Sequence, residues 1–225
     1  MKLSAKSIGM GGPTTKNEMP PALGGISKRG LDIVCAALGL LAISPLFLLL
    51  AGLVKFSDRG PVFYGHRRIG RGGRHFYCLK FRTMAVDSEK ALANYLRDNP
   101  EAREEWEATR KLKHDPRVTR VGAVLRKLSL DELPQIINIL LGDMSLVGPR
   151  PVVHDELENY GNAAHHYLRT RPGLTGLWQI SGRNDVSYDT RVKFDTQYVE
   201  NWSLAQDIRI IVLTVPAVCL SRGSY

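Results

Sequence analysis

Residues Ile33 to Val54 read IVCAALGLLAISPLFLLLAGLV, twenty-two residues without a charge. About 20 apolar residues suffice to cross a bilayer as a straight helix. This run is apolar on every face, unlike a helix that lies half-buried on a soluble core. Its length, and the lack of a small-residue cleavage site after it, argue against a cleaved signal peptide. Basic residues flank it on both sides: Lys2, Lys6, Lys16, Lys28 and Arg29 upstream, Lys55, Arg59, Arg67, Arg68, Arg71 and Arg74 downstream. Basic flanks favour the cytoplasmic side. A spanning helix would export one cluster, whereas a segment that enters, bends and returns keeps both inside. Ser44-Pro45 lies at the middle, where proline removes a backbone hydrogen bond and serine can satisfy the freed carbonyl. Each arm would have about 11 residues, roughly 16 Å, and reach only the bilayer's middle. The expectation is a re-entrant membrane helix over 28–56, helix-break-helix, with a kinked spanning helix as the alternative.

Outward from this segment, residues 1–27 hold Gly11-Gly12-Pro13, Pro20-Pro21 and Gly24-Gly25 with few large apolar groups, the composition of a disordered N-terminal arm. Residues 57–225 are read as a cytoplasmic catalytic domain. The turn at Arg59-Gly60-Pro61 leads into Val62-Phe63-Tyr64, a short strand-like piece, and Gly70-Arg-Gly-Gly73 makes a second turn. His75 to Arg82 then alternates as a strand, placing Lys80 and Arg82 on one face. Asp87 to about Lys113 is charged and helical in pattern, broken near Asn99-Pro100, and reads as a solvated face. Leu133, Ile136, Ile137, Leu140 and Leu141 follow helical spacing, with Gly142 as a stop. Ile208 to Leu220 is too short to span and reads as core or as an interfacial amphipathic helix. The fold class is therefore α/β, mostly helical with a few short strands, and membrane-associated.

Composition narrows the partners. The chain has 225 residues, enough for a real core, and 31 lysines and arginines against 22 aspartates and glutamates. A balance of +9 favours anionic partners: acidic head groups, phosphorylated substrates or nucleic acid. Nucleic acid is the weakest of these, because no stacked-aromatic or zinc-finger pattern accompanies the charge. Three cysteines, Cys35, Cys78 and Cys219, two of them in apolar stretches, read as reduced thiols. His165-His166 lacks the Cys or acid spacing of a metal site and reads as structural.

The chemistry concentrates at Asp131-Glu132, between Arg126-Lys127 and Gly148-Pro-Arg-Pro151. One acid can attack phosphorus, the pair can hold a divalent cation, and arginines can neutralise phosphate oxygens. A purely structural account also exists, since Ser129-Leu-Asp-Glu132 matches a capping box. It places Pro134 fifth in the helix, where an N–H is expected; a start at Asp131 puts proline third, where none is needed. Acids at that helix start would still suit the macrodipole, and the same terminus attracts phosphate. Arg150 sits between two prolines, so its side chain is aimed by stiff backbone.

These stretches resemble the bacterial sugar transferases, the monotopic polyprenyl-phosphate hexose-1-phosphate transferases. The resemblance runs through Lys28-Arg-Gly-Leu-Asp32, Gly60-Pro-Val-Phe63, Lys80-Phe-Arg-Thr-Met84, Asp115-Pro-Arg-Val-Thr-Arg-Val-Gly122, Leu128-Ser-Leu-Asp-Glu-Leu-Pro-Gln135, Gly142 to Pro151 and Arg171 to Arg183. Asn184 to Asp189 and Tyr198 to Ser203 look like the exopolysaccharide branch that loads galactose- or glucose-1-phosphate, and the chain resembles the minimal form of the family. The resemblance implies a re-entrant helix and a covalent mechanism at the cytoplasmic face of the bacterial inner membrane. Asp131 would attack a UDP-sugar and release UMP, and undecaprenyl phosphate would then take the sugar-phosphate. It also implies Mg²⁺ held by Asp131 and Glu132, and phosphate contacts from Lys80, Arg126 and Arg150; Arg82 is added from strand geometry. Which sugar is carried is not legible, and a homo-oligomer is left open. Three rivals stand beside this reading: a membrane adaptor, a nucleic-acid binder, and a membrane phosphatase whose intermediate is discharged by water.

Overall fold

The computed structural model describes residues 21–181 and 187–219. Most of the 1–27 arm and the Asn184-Asp-Val186 stretch therefore lie outside the described residues. Helix α1, Gly25–Asp58, carries the apolar run; it starts after Gly24 and ends at Arg59, both left-handed. Two antiparallel strands follow, β1 Phe63–Ile69 and β2 His75–Phe81, in the register Tyr64↔Lys80 and Phe63↔Phe81. Helices α2 Ser88–Asp98 and α3 Pro100–Thr109 are separated at Asn99, as the Asn-Pro step requires. Next come α4 Arg120–Lys127, a single 3-10 turn at Leu130–Glu132, and α5 Gln135–Leu141, stopped by left-handed Gly142. The remaining elements are β3 Ser145–Val147, α6 His154–Glu158, α7 Ala164–Leu168, β4 Gly173–Thr175, α8 Leu177–Ile180, α9 Tyr188–Glu200 and α10 Leu204–Cys219. Strands β3 and β4 pair in parallel. The expected class, mostly helical with a few short strands, is what the structure shows.

Helix α1 differs from the expected helix-break-helix in one respect: it is a single helix, Gly25–Asp58, that continues through Pro45. Proline at that position leaves the Leu41 carbonyl without its usual N–H donor, and the Ser44 hydroxyl donates to Leu41 O at 2.8 Å instead. The serine so repairs the ladder locally, and the helix continues. One face of α1 belongs to the protein core. Ala36, Leu40, Ile43, Phe47, Leu50 and Val54, spaced alternately four and three apart, pack on β2, α4 and α5 residues. Phe47, Phe63 and Phe81 form an aromatic cluster at 5.0 to 6.0 Å that ties the middle of α1 to the hairpin. The opposite faces are bare: Leu38, Leu41, Leu48, Leu49 and Phe56 are exposed. Such an unpartnered apolar surface suits a bilayer.

Both ends of α1 are also bonded to the same body. Near its start, buried Lys28 donates to Asp207 at 2.7 Å, and Asp32 accepts from the Ser145 hydroxyl and Leu146 N–H, both at 2.9 Å. Near its end, Asp58 pairs with Arg82 and accepts from Val86 N–H. Helix α10 shows the duality expected of it: Asp207 and Ile210 are buried, while Leu204, Ile208, Val212 and Leu213 are exposed. Helix length and hydropathy alone agree with membrane association.

Candidate active site

The acid pair sits in a tight reversal between α4 and α5. Ser129 takes a left-handed conformation, φ 55°, unusual for a residue with a side chain. Its side chain caps nothing, so the capping box of the alternative, purely structural account does not form. Leu130–Glu132 instead make one 3-10 turn, Leu133 and Pro134 are helical in conformation, and α5 begins at Gln135. Pro134 thereby precedes α5, where its missing N–H costs nothing. Leu130 and Leu133 pack on Phe81 and Leu125, which pins the turn to the core. Between them, Asp131 is held at 9 % exposure while Glu132 is more open.

Lys80 on β2 faces both acids, with Nζ 3.4 Å from Asp131 Oδ2 and 2.6 Å from Glu132 Oε1. Burial pushes the Asp131 carboxyl above the usual carboxylate range, and the Glu132 charge adds to it, against the pull of Lys80 and Arg126. For Lys80, burial opposes the charge, but the two acids outweigh it and hold the ammonium protonated. Asp131 is thus a desolvated carboxylate of raised basicity, and Lys80 is a fixed cation beside it. Cys78, two residues away, is inert by the same burial, its thiol pushed up to about 11.

Arg126 lies in the last turn of α4 and its field reaches Asp131. Its Nε donates to Thr83 Oγ1 at 2.9 Å, and it makes no ion pair among the described residues. The Asp115-to-Gly122 motif explains how it gets there. Arg117 clamps Asp115 through three bonds of 2.6 to 3.1 Å, and Thr119 caps α4 by accepting from Gly122 N–H. Gly122 lets α4 press on the chain after β2: a Cβ there would meet Thr83 O at 2.1 Å. Gly122→Ala is therefore expected to cost about 3 kcal/mol and to displace Arg126, read as a lower Tm with lost activity.

Arg150 projects from a second construction. Gly148 N–H donates to Thr175 O at 2.9 Å and Gly173 N–H to Pro149 O at 2.7 Å. A Cβ at Gly173 would stand 2.2 Å from Gly148 N, so the two backbones touch as only glycine permits. The Gly-Pro-Arg-Pro and Arg-Pro-Gly-Leu-Thr-Gly stretches are two halves of one β3–β4 junction. Beyond it, Val152 N–H donates to the Tyr167 hydroxyl, which itself donates to Ile69 O. Arg150 is exposed on this rigid loop.

Arg82, expected on the Lys80 face of the strand, lies one residue past the end of β2 at Phe81, and its guanidinium is held by Asp58 at the end of α1. His165 and His166 stack on each other at 3.9 Å, with His166 Nε2 3.4 Å from Glu200. No group of three or more metal-binding side chains occurs among the described residues.

One residue of interest escaped the sequence reading. Asp195 on α9 is buried, accepts from the Tyr160 hydroxyl at 2.7 Å, and feels Arg150 and Arg191. Burial pushes its carboxyl up to about 7, against the opposing pull of that hydrogen bond and the two arginines. Between the unfolded value near 4 and about 7 the native state binds a proton that the unfolded chain has released, so stability falls as pH rises through this window. Asp195→Asn is expected to flatten that fall, read as Tm at pH 5.5 and pH 8.

The family model described as bacterial sugar transferase matches residues 23–221. The exopolysaccharide production protein ExoY of Sinorhizobium fredii is 68 % identical over 203 residues, 90 % of each chain. An undecaprenyl-phosphate galactose phosphotransferase of Salmonella typhimurium is 54 % identical over 198 residues, 88 % of this chain and 41 % of that one. A UDP-glucose:undecaprenyl-phosphate glucose-1-phosphate transferase of Xanthomonas campestris is 39 % identical over 208 residues, 89 % of this chain and 40 % of that one. A family match over nearly the whole chain and a relative 68 % identical across 90 % of both chains lead to one conclusion: this chain belongs to the bacterial sugar transferase family.

Proposed function

We propose that this protein initiates exopolysaccharide synthesis by moving a hexose-1-phosphate, galactose or glucose, from a UDP-sugar to undecaprenyl phosphate. The observation that carries the reading is the desolvated Asp131 carboxylate beside Glu132 and Lys80. The Asp131 carboxylate oxygen bonds to the β-phosphorus while the bridging P–O bond to UMP breaks, and UMP leaves with the bridging oxygen. An undecaprenyl phosphate oxygen then bonds to the same phosphorus, the acyl-phosphate bond breaks, and Asp131 returns as a carboxylate. Lys80, Arg126 and Arg150 neutralise the phosphate oxygens. Arg82, engaged by Asp58, would have to leave its partner to do the same.

Asp131 and Glu132 already converge on one cation, the Lys80 ammonium, so the pair fits Mg²⁺, which takes one or two carboxylates and completes its shell with water and substrate phosphates. Bound there, the ion would supply charge neutralisation to the diphosphate. The test is UMP release from UDP-galactose and UDP-glucose by detergent-purified protein with Mg²⁺, with and without undecaprenyl phosphate. Label moving into the lipid supports the transferase and names the sugar; sugar-phosphate passing to water regardless of lipid makes the protein a hydrolase.

The proposal includes a re-entrant α1 on the cytoplasmic face of the inner membrane. Its support is that both ends of α1 bond to one domain, together with the basic flanks on either side. With the native cysteines replaced, Ile26→Cys and Phe56→Cys variants are expected to resist an impermeant maleimide applied from the periplasm. Labelling at residue 26 alone would establish a spanning helix.

A further inference from the structure

Helix α4 has an inner face that is fully accounted for. Leu125 is buried against Leu50, Val54 and Phe81, and Val121 packs beside it. In so short and charged a helix the outer face is expected to be polar, and Arg120 and Lys127 are. Val124 and Leu128 are not: they stand one turn apart on the outside, 56 % and 53 % exposed. No described residue covers them, and they belong to none of the core clusters among the described residues. Leu128 lies three positions before Asp131, and exposed Lys127 flanks the two apolar groups, whereas Arg126 faces the opposite way toward Thr83.

We propose that this outer face of α4, with Val124 and Leu128 as its apolar floor and exposed Lys127 as its cationic rim, receives the first prenyl units of the lipid acceptor. The inference rests on the transferase reading and specifies where its second substrate lies. Three observations select an amphiphile of this kind. The face joins apolar side chains to the Lys127 ammonium within one helical turn, matching a hydrocarbon chain that ends in a phosphate. Its cationic end points along the chain toward the acid pair, since α4 runs through Leu128 and Ser129 into the Leu130–Glu132 turn. Its other side adjoins α1, where Leu49, Leu53 and Phe56 are exposed beside the Leu50 and Val54 that pack on α4. A lipid moving in the membrane plane would meet the apolar side chains of α1 and then of α4, with its phosphate arriving beside Lys127 at the end that leads into the acid pair. Bulk phospholipid could cover the same face, but would have no reason to be drawn toward Asp131.

The test uses the full chain in detergent with a Val124→Ser/Leu128→Ser double variant. Two rates are compared: kcat/KM for undecaprenyl phosphate, and exchange of labelled UMP into UDP-sugar without lipid, which reports the first half-reaction alone. The ratio of the first to the second is expected to fall roughly tenfold or more, the scale of losing two apolar contacts. The wild-type preference for undecaprenyl phosphate over a short, water-soluble prenyl phosphate should shrink with it. A Val124→Asp variant should lower the ratio further. An unchanged ratio overturns the proposal. So does an equal loss of both rates accompanied by loss of co-sedimentation with vesicles of phosphatidylethanolamine and phosphatidylglycerol, which would make the face a bilayer anchor. Failure of the wild type to transfer from any nucleotide sugar would instead sink the transferase reading, and this inference with it.

Discussion

Asp131→Asn is expected to lower sugar-phosphate transfer by about 10³-fold or more while leaving the fold and membrane association intact. The amide has the size of the carboxylate but cannot form a stable acyl-phosphate, so both half-reactions lose their covalent partner. UMP exchange in the absence of lipid should vanish along with overall transfer, and loss of membrane binding would point instead to a folding role. Stability should move the other way. The Asp131 carboxyl is held above its ordinary value, chiefly by burial, so ionising it in the folded state costs free energy above the unfolded value. The neutral asparagine escapes that cost, and Tm at pH 8 should be equal to or higher than that of the wild type. A variant that is dead and at least as stable identifies a nucleophile kept at the expense of the fold.

Asp207→Ala is expected to be the most damaging single change to stability. Asp207 is fully buried and accepts three bonds: Lys28 Nζ at 2.7 Å, the Tyr198 hydroxyl at 2.7 Å and Trp202 Nε1 at 3.1 Å. Truncation leaves the Lys28 ammonium, 4 % exposed, without its ion-pair partner. Breaking one side of a buried pair costs about 3–5 kcal/mol, or roughly 10 °C in Tm for a chain of this size. A Lys28→Met/Asp207→Asn double variant removes both charges and keeps an acceptor for Tyr198 and Trp202. It should recover at least half of the loss, and a double-mutant cycle in thermal unfolding would measure the coupling.

Much of this architecture could be read from residue patterns. The uncharged run marked α1, the alternation around His75 to Phe81 marked β2, and Asn99-Pro100 marked the break between α2 and α3. Ser44 was expected to satisfy a freed carbonyl and does so at Leu41. The acid pair and Lys80 were expected in one pocket and meet there, though 51 positions separate Lys80 from Asp131. What escaped detection has physical reasons. Strands of three residues, such as β3 and β4, are too short to display a period, and their pairing rests on glycines that read only as loop. Ser129 looked like a cap because its identity fits one, yet its backbone is committed to a reversal that points the side chain away. Arg82 followed the strand rule one residue past the end of the strand. Asp195 carries no signal at all: one acid in a mixed-charge helix is indistinguishable from a solvated one until Tyr160 is brought over it.

The attachments at the start of α1 set an order of events during synthesis. Lys28 must wait for Asp207, 179 positions later, and Asp32 for Ser145, 113 positions later. The apolar helix leaves the ribosome long before anything exists to cover its inward stripe, and at that stage the membrane is the only apolar phase on offer. With α1 in the bilayer as proposed above, insertion would precede folding, and the domain would assemble against a helix already held there. An isolated fragment beginning after residue 58 would lack a wall of its own core, so deleting the helix to obtain a soluble enzyme should yield an aggregating chain.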